Sequence, residues 1–131
     1  PLTVWPEGTV TRDPQKWPMS MKNGVGMIAL EASRRCGKQI PLFCAVTWGA
    51  ASINHLWPWP RKNVVMCYDA RLDYSDLLEH QESWGEWPNA EDADELTRRI
   101  RVRMTRIMEE IRGEKAPDGY WDFRTMKRVT D

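Results

Sequence analysis

The chain has 131 residues, of which 41% are hydrophobic and 29% are charged, and its 19 basic side chains balance 19 acidic ones. This length allows one domain without room for a second catalytic module, and the composition is typical of a globular protein and excludes a disordered chain. Because the charges balance, no global field attracts nucleic acid or an anionic membrane, so any such affinity must be local.

Neither a membrane span nor a disulfide framework is predicted. The longest apolar stretches, 25–30 and 40–46, are far shorter than the roughly 20 residues that cross a bilayer, and no secretory leader is expected. Cys36, Cys44 and Cys67 form no C-x-x-C pair and are too sparse for a disulfide scaffold, which favours a reducing cytosol and inert thiols.

The first predicted element is a buried strand over residues 2–5, a β-branched and aromatic stretch. It ends at Pro6, which has no amide proton for an interior ladder. Residues 6–23 contain three prolines and alternating charges. This composition predicts an ordered, irregular loop of the kind that often carries function.

An amphipathic helix is predicted from Gly24, because hydrophobic residues recur at three- and four-residue spacing up to the stop signal Gly37. Residues 40–47 form a nearly continuous apolar run, which is typical of a strand covered on both faces and favours an α/β sheet. Another short strand is predicted over 63–68.

Two further helical segments are predicted in the second half of the chain. Residues 73–80 are expected to form one or two helical turns, with Ser75 as the cap. The clearest helix spans 90–112, where hydrophobic residues recur every three or four positions between the cap candidate Asn89 and Gly113.

The remaining residues, 113–131, are expected to form a loosely held tail. Its candidate anchors are three aromatic side chains, Tyr120, Trp121 and Phe123. The predicted fold class is therefore α/β, a mixed sheet flanked by helices, with one domain over 1–112 followed by the tail.

The most specific motif is Pro-Glu-Gly-Thr at 6–9, between the first predicted strand and the loop. Gly8 lets the backbone approach a ligand, and Thr9 offers a hydroxyl and an amide. Arg12 and Lys22 supply positive charge, so the set suits an anionic ligand. Glu7 can orient the arginine or accept a hydrogen bond from a substrate hydroxyl. The alternative is an ordinary turn with the glutamate in solvent.

Further segments accompany this motif in order: Trp-Pro-Glu-Gly-Thr-Val-Thr-Arg-Asp-Pro at 5–14, Lys22 and Gly24, Ile-Ala-Leu-Glu at 28–31, and Ile-Pro-Leu at 40–42. In order and spacing they resemble the second half of the phospholipid and glycerol acyltransferase family, specifically the bacterial 1-acyl-sn-glycerol-3-phosphate (lysophosphatidate) acyltransferases. The resemblance covers about residues 2–112 and is most specific in the first fifty. It implies a partial glycerolipid acyltransferase-like domain.

The resemblance implies that Glu7, Gly8 and Thr9 help to hold the glycerol phosphate acceptor. A basic residue commonly follows the threonine in the family, whereas this chain has Val10 at that position. Phosphate binding is therefore assigned to Arg12. The Ile-Pro-Leu block matches a family block that shapes the acyl or acceptor pocket, although its proline can equally begin a strand. The implied substrate-binding residues are Glu7, Gly8, Thr9, Arg12, Lys22 and Pro41.

The family's general base, a histidine in a His-x-x-x-x-Asp block, is missing from the chain. Its two histidines are His55 and His80, and the residues five positions later are Pro60 and Gly85. The chain alone is therefore expected to be inactive, with no catalytic residue of its own, because nothing removes the acceptor proton. The chain opens at Pro1 without methionine, which predicts a cut through a longer protein that supplies the block upstream.

The reaction implied by the resemblance is transfer of a fatty acyl group from acyl-CoA or acyl carrier protein to 1-acyl-sn-glycerol-3-phosphate, in phospholipid biosynthesis. No metal is predicted, because Glu79, His80 and Glu82 point in different directions on a helix and therefore cannot bind one metal ion together. The donor thioester is a substrate, and no other cofactor is expected. The rivals are a non-catalytic phosphate or lipid-headgroup binding module and, ranked last, a phosphatase or nucleotide enzyme.

The tryptophans suggest where the protein meets lipid. Trp57 and Trp59, beside Arg61 and Lys62, are the best candidates for a surface that touches a membrane interface. We therefore expect a peripheral location at the cytoplasmic face of the membrane and no nucleic-acid partner. The alternative is that these rings pack the core and its loops.

Overall fold

The computed structural model describes residues 2–7, 14–49 and 64–130. Within these ranges the chain forms helices and small antiparallel sheets, which confirms the α/β class. The helices are α1 (Gly24–Cys36), α2 (Ser75–Leu78) and α3 (Ala90–Arg112), with 3₁₀ turns at Pro14–Lys16 and Glu79–Ser83. The strands are β1 (Ala45–Trp48), β2 (Val65–Tyr68), β3 (Tyr120–Asp122) and β4 (Lys127–Val129).

Helices α1 and α3 form the centre of the molecule, and both end where the glycines predicted. Gly37 and Gly113 adopt left-handed conformations with φ of 63° and 69°, which a residue without a Cβ reaches at no steric cost. The two helices touch at Gly26, where a Cβ atom would collide with the carbonyl oxygen of Ala93. The missing side chain thus sets how closely the helices approach.

The core lies between α1, α3 and the segment that carries α2. Its fully buried members include Leu30, Leu96 and Tyr74. The Tyr74 hydroxyl donates to the carbonyl oxygen of Ile40 at 2.7 Å and lies 2.9 Å from the Ser33 hydroxyl, so the polar end of this buried ring is satisfied. Burial of these side chains supplies the main stabilisation of the domain.

The prediction that residues 40–47 form a strand covered on both faces is wrong. The strand is β1, in which only Val46 is buried, and it pairs antiparallel with β2. Side chains alternate between the two faces of such a ribbon, so one face packs inward and the other remains exposed. The described strands form two separate two-stranded sheets and not the one mixed sheet that was expected.

The buried strand predicted over residues 2–5 is also wrong. These residues belong to no strand, and Leu2 and Trp5 are 74% and 78% exposed. A strand needs a neighbour for its backbone groups, and β propensity alone does not provide one. The strand predicted over 63–68 is confirmed over Val65–Tyr68, as β2, and residue 63 lies outside the described residues.

Helical turns over residues 73–80 are confirmed, but Ser75 is not the cap. Tyr74 occupies the cap position, and Ser75 is the first residue of α2. The Asp73 carboxylate accepts the Ser75 amide at 3.1 Å, which satisfies a backbone donor at the start of the helix. Asn89 does occupy the cap position of α3, without a capping bond from its side chain.

Residues 119–129 form a hairpin instead of a loosely held tail. Strands β3 and β4 pair with Trp121 opposite Arg128. The turn between them is fixed by Asp122, whose carboxylate accepts hydrogen bonds from the amides of Arg124 and Thr125. Trp121, one of the predicted anchors, forms a parallel bridge with Met19 ahead of α1.

Candidate functional site

A cleft of about 700 Å³ lies where the segment before α1, the helix α3 and the hairpin 119–129 meet. Its first wall consists of Glu7, Ser20, Met21, Lys22 and Asn23. Its second wall consists of Asp94, Arg101, Tyr120, Asp122, Phe123 and Arg124. Both walls carry acids and bases, so the cleft suits a ligand that combines an anionic group with hydroxyl groups.

The first wall brings together two residues predicted to bind substrate, Glu7 and Lys22. The backbone amide of Lys22 donates to the carbonyl oxygen of Pro6 at 2.9 Å, which ties the turn at 6–7 to the residues just ahead of α1. The Glu7 side chain is half-buried, and burial raises the pKa of its carboxyl. Lys22 is exposed, and its ammonium pairs with no residue in the described part of the chain.

The other predicted substrate-binding residues are not placed in the cleft. Gly8, Thr9 and Arg12 lie outside the described residues, so their roles stay predictions. Pro41 is exposed in the connection between α1 and β1 and does not line the cleft. It does not begin a strand either, since β1 begins at Ala45.

The second wall was not predicted from the sequence. Helix α3 was predicted from its hydrophobic spacing, which does not indicate a binding site, and it contributes Asp94 and Arg101 to the cleft. The Arg101 guanidinium lies 4.0 Å from the centre of the Tyr120 ring, a cation–π distance that joins the helix to the hairpin. A usable signal was present in the sequence: three aromatic residues, one glycine and several cations within residues 119–128.

Backbone hydrogen bonds join the hairpin to the segment before α1. The Ser20 amide donates to the Trp121 carbonyl at 2.8 Å, and the Trp121 amide donates to the Pro18 carbonyl at 2.7 Å. The Arg128 guanidinium donates to the carbonyl oxygens of Gln15 and Trp17 at 2.7 and 3.0 Å. These bonds fix the two walls relative to each other across more than one hundred residues of sequence.

A histidine–aspartate pair exists on another side of α3. His80 Nδ1 lies 2.9 Å from Asp92 Oδ1, and the Trp84 indole donates to Asp92 Oδ2 at 2.6 Å. Asp92 raises the pKa of His80, chiefly through this hydrogen bond. Asp92 and Asp94 are two positions apart and so face different directions on the helix, since successive residues turn by about 100°. Neither member of the pair lines the cleft.

The cysteines and acidic side chains of the described ranges form no metal site. No group of three or more histidine, cysteine, aspartate or glutamate side chains is placed there to hold a metal ion. Cys44 is buried, and this burial raises its thiol pKa to about 11, so it is protonated at neutral pH, as an inert core thiol would be. Cys36 is exposed and Cys67 is half-buried.

His55 and the proposed lipid-touching group of Trp57, Trp59, Arg61 and Lys62 lie outside the described residues. In the described ranges, no helix combines the length and the hydrophobicity needed to cross a bilayer. No known protein family, curated protein or solved structure gives a significant match to this chain.

Proposed function

We propose that this chain carries the acceptor-binding part of a glycerolipid acyltransferase, which transfers a fatty acyl group from acyl-CoA or acyl carrier protein to 1-acyl-sn-glycerol-3-phosphate. The observation that supports it is the placement of Glu7 and Lys22 on one wall of a cleft that is large enough for a glycerol phosphate headgroup. The proposal includes an acyltransferase-like domain and a peripheral position at the cytoplasmic membrane face.

The chemistry of the first wall fits this acceptor. The Lys22 ammonium, which has no partner in the described part of the chain, provides a positive charge for the phosphate. The Glu7 carboxylate accepts a hydrogen bond from a glycerol hydroxyl and thereby recognises the part of the ligand that carries no charge. Gly8, Thr9 and Arg12 are expected to extend this contact.

Acyl transfer also needs a base. The acceptor hydroxyl loses its proton as its oxygen attacks the thioester carbonyl; the new ester forms and the thiol leaves. No histidine lines the described cleft, so we expect the chain alone to bind the acceptor without turnover. The resemblance assigns the base to a His-x-x-x-x-Asp block on the N-terminal side of Glu7.

The binding proposal is tested by titrating the chain with glycerol 3-phosphate in a calorimeter. Lys22→Gln is expected to weaken binding roughly tenfold, because it removes one charged hydrogen bond. Lys38→Gln is the matched control, since Lys38 is equally exposed but lies beyond the opposite end of α1. Equal losses in both variants, or no binding by the unmodified chain, would contradict the proposed site.

The reaction is tested on the complete gene product with acyl-CoA and lysophosphatidate, by following release of the free thiol. Thiol release that depends on lysophosphatidate supports the acyltransferase. If the complete product binds glycerol 3-phosphate but releases no thiol with either donor class, the non-catalytic headgroup-binding module replaces the acyltransferase as the function.

A further inference from the structure

The second wall of the cleft carries a cation that the proposed function does not use. Arg124 lines the cleft from the turn of the hairpin, opposite the wall that holds Lys22. Within the described ranges, its guanidinium forms no hydrogen bond or ion pair. Its charge helps to lower the pKa of the nearby Asp122 carboxyl, but its N–H donors remain available for a ligand, and their planar arrangement suits phosphate oxygens.

The turn anchors the backbone of Arg124. Asp122 accepts hydrogen bonds from the Arg124 amide at 3.0 Å and from the Thr125 hydroxyl at 2.8 Å. Its carboxylate oxygens are therefore engaged within the turn. Tyr120 is held by Arg101, and Arg128 holds the other strand to the segment before α1. A cation on an anchored backbone loses less entropy on binding than one on a mobile chain end.

Two other acids line the cleft, Glu7 and Asp94, and their carboxylates can accept hydrogen bonds from the hydroxyl groups of a ligand. A ligand with one anionic end and a polyol satisfies both kinds of side chain. A phosphomonoester carries between one and two negative charges at neutral pH and offers three terminal oxygens, so it can contact two cations at once. A phosphodiester carries one charge and two free oxygens, and it gains less from a second cation.

We propose that Arg124, from the C-terminal hairpin, is the second cation of the acceptor site and sets its preference for a phosphomonoester headgroup over a phosphodiester. This inference rests on the proposed function, and it adds the hairpin to the binding machinery. Lys22 and Arg124 contact the phosphate from the two walls, and Glu7 accepts the glycerol hydroxyl.

The test compares lysophosphatidate with lysophosphatidylglycerol of the same acyl chain, titrated into the unmodified chain, Arg124→Gln and the control Lys127→Gln. Lys127 is exposed on the same hairpin and does not line the cleft. We expect the unmodified chain to prefer lysophosphatidate by about tenfold. Arg124→Gln is expected to lower lysophosphatidate affinity by about that factor and to abolish the preference, whereas Lys127→Gln retains both.

Two results separate the failure of this inference from the failure of the proposed function. If the unmodified chain binds neither lipid, nor glycerol 3-phosphate, the proposed function fails. If it binds lysophosphatidate through Lys22 but Arg124→Gln leaves the ratio of the two affinities unchanged, the function stands and the role of Arg124 is overturned. An equal loss of lysophosphatidate affinity in Lys127→Gln also overturns it, because the overall positive charge of the hairpin, and not a contact made by Arg124, would then explain the effect. Inorganic phosphate, titrated in parallel, distinguishes a free-phosphate site from a glycerol phosphate site.

Discussion

The helix pair α1–α3 and the cleft beside it are held together by different interactions. The helices bury Leu30 and Leu96 completely and meet closely at Gly26. The cleft lies between the segment before α1, the helix α3 and the hairpin 119–129, and backbone hydrogen bonds and Arg128 join the first of these to the last. Stability therefore resides mainly in the helices, while the geometry of the cleft depends to a larger extent on polar contacts.

The largest expected effect is on the helix pair. Leu96→Ala removes a side chain that is 0% exposed and is expected to lower the free energy of unfolding by about 2–5 kcal/mol, through lost burial and a new cavity. Ile28→Ala is the control, since Ile28 is 49% exposed on α1 and should cost only about 0.5 kcal/mol. Urea denaturation followed by circular dichroism measures both. Similar costs would show that the core does not lie where the structure places it.

The contact between the helices gives a sharper test. Gly26→Ala introduces a methyl group that meets the Ala93 carbonyl and lies 2.9 Å from the Thr97 hydroxyl oxygen. We expect a loss of about 1–3 kcal/mol from overpacking. Gly24→Ala, on the same helix with nothing within 4 Å, should be neutral or slightly stabilising. The same denaturation experiment compares the two, and a neutral Gly26→Ala would contradict the close approach.

These helices could be predicted because their signals are local. Hydrophobic spacing and the glycines at 37 and 113 lie within each segment and determine its ends. Glu7 and Lys22, both predicted from the sequence as substrate-binding residues, lie in the first wall. The composition of residues 119–128 signals the hairpin of the second wall, but its position could not be predicted, because it depends on contacts such as Trp121 with Pro18, which are distant in sequence and mostly involve backbone atoms common to all residues.

The environment of the strands likewise could not be predicted from local sequence alone. An apolar run over residues 40–47 does not specify whether a strand is covered on one face or on both, and here only Val46 of β1 is buried. Ser75 was not the cap of α2 because only the backbone course shows that Tyr74 takes this position and that the Asp73 carboxylate accepts the Ser75 amide.

A smaller and more local effect is expected at the cleft. Arg128→Ala removes the guanidinium that donates to Gln15 and Trp17, so the hairpin should separate from the segment before α1 more often. In native-state hydrogen exchange, the amides of Ser20 and Trp121 should lose protection while those of α3 keep it. Lys127→Ala, its neighbour on β4, should change neither. Loss of protection throughout α3 would mean that the two regions unfold together.

The smallest expected effect is the pH dependence contributed by His80. Asp92 raises the pKa of His80 in the folded protein, chiefly by a hydrogen bond to the charged ring. Its contribution is therefore complete below the unfolded value of about 6.5 and is lost as the pH rises through the higher folded value. Urea midpoints at about pH 6 and about pH 9 should differ less in His80→Asn than in the unmodified chain. An identical difference in both would exclude this contribution.

The bonds from Arg128 to residues 15 and 17 also bear on how the protein is made. Once residue 112 has emerged from the ribosome, α1 and α3 are both complete and can pack against each other. The cleft must wait for strand β4, which is synthesised near the end of this chain. A translation product that stops between these points would resist unfolding yet lack a working binding site, so yield and helical content are poor guides to whether a preparation is competent.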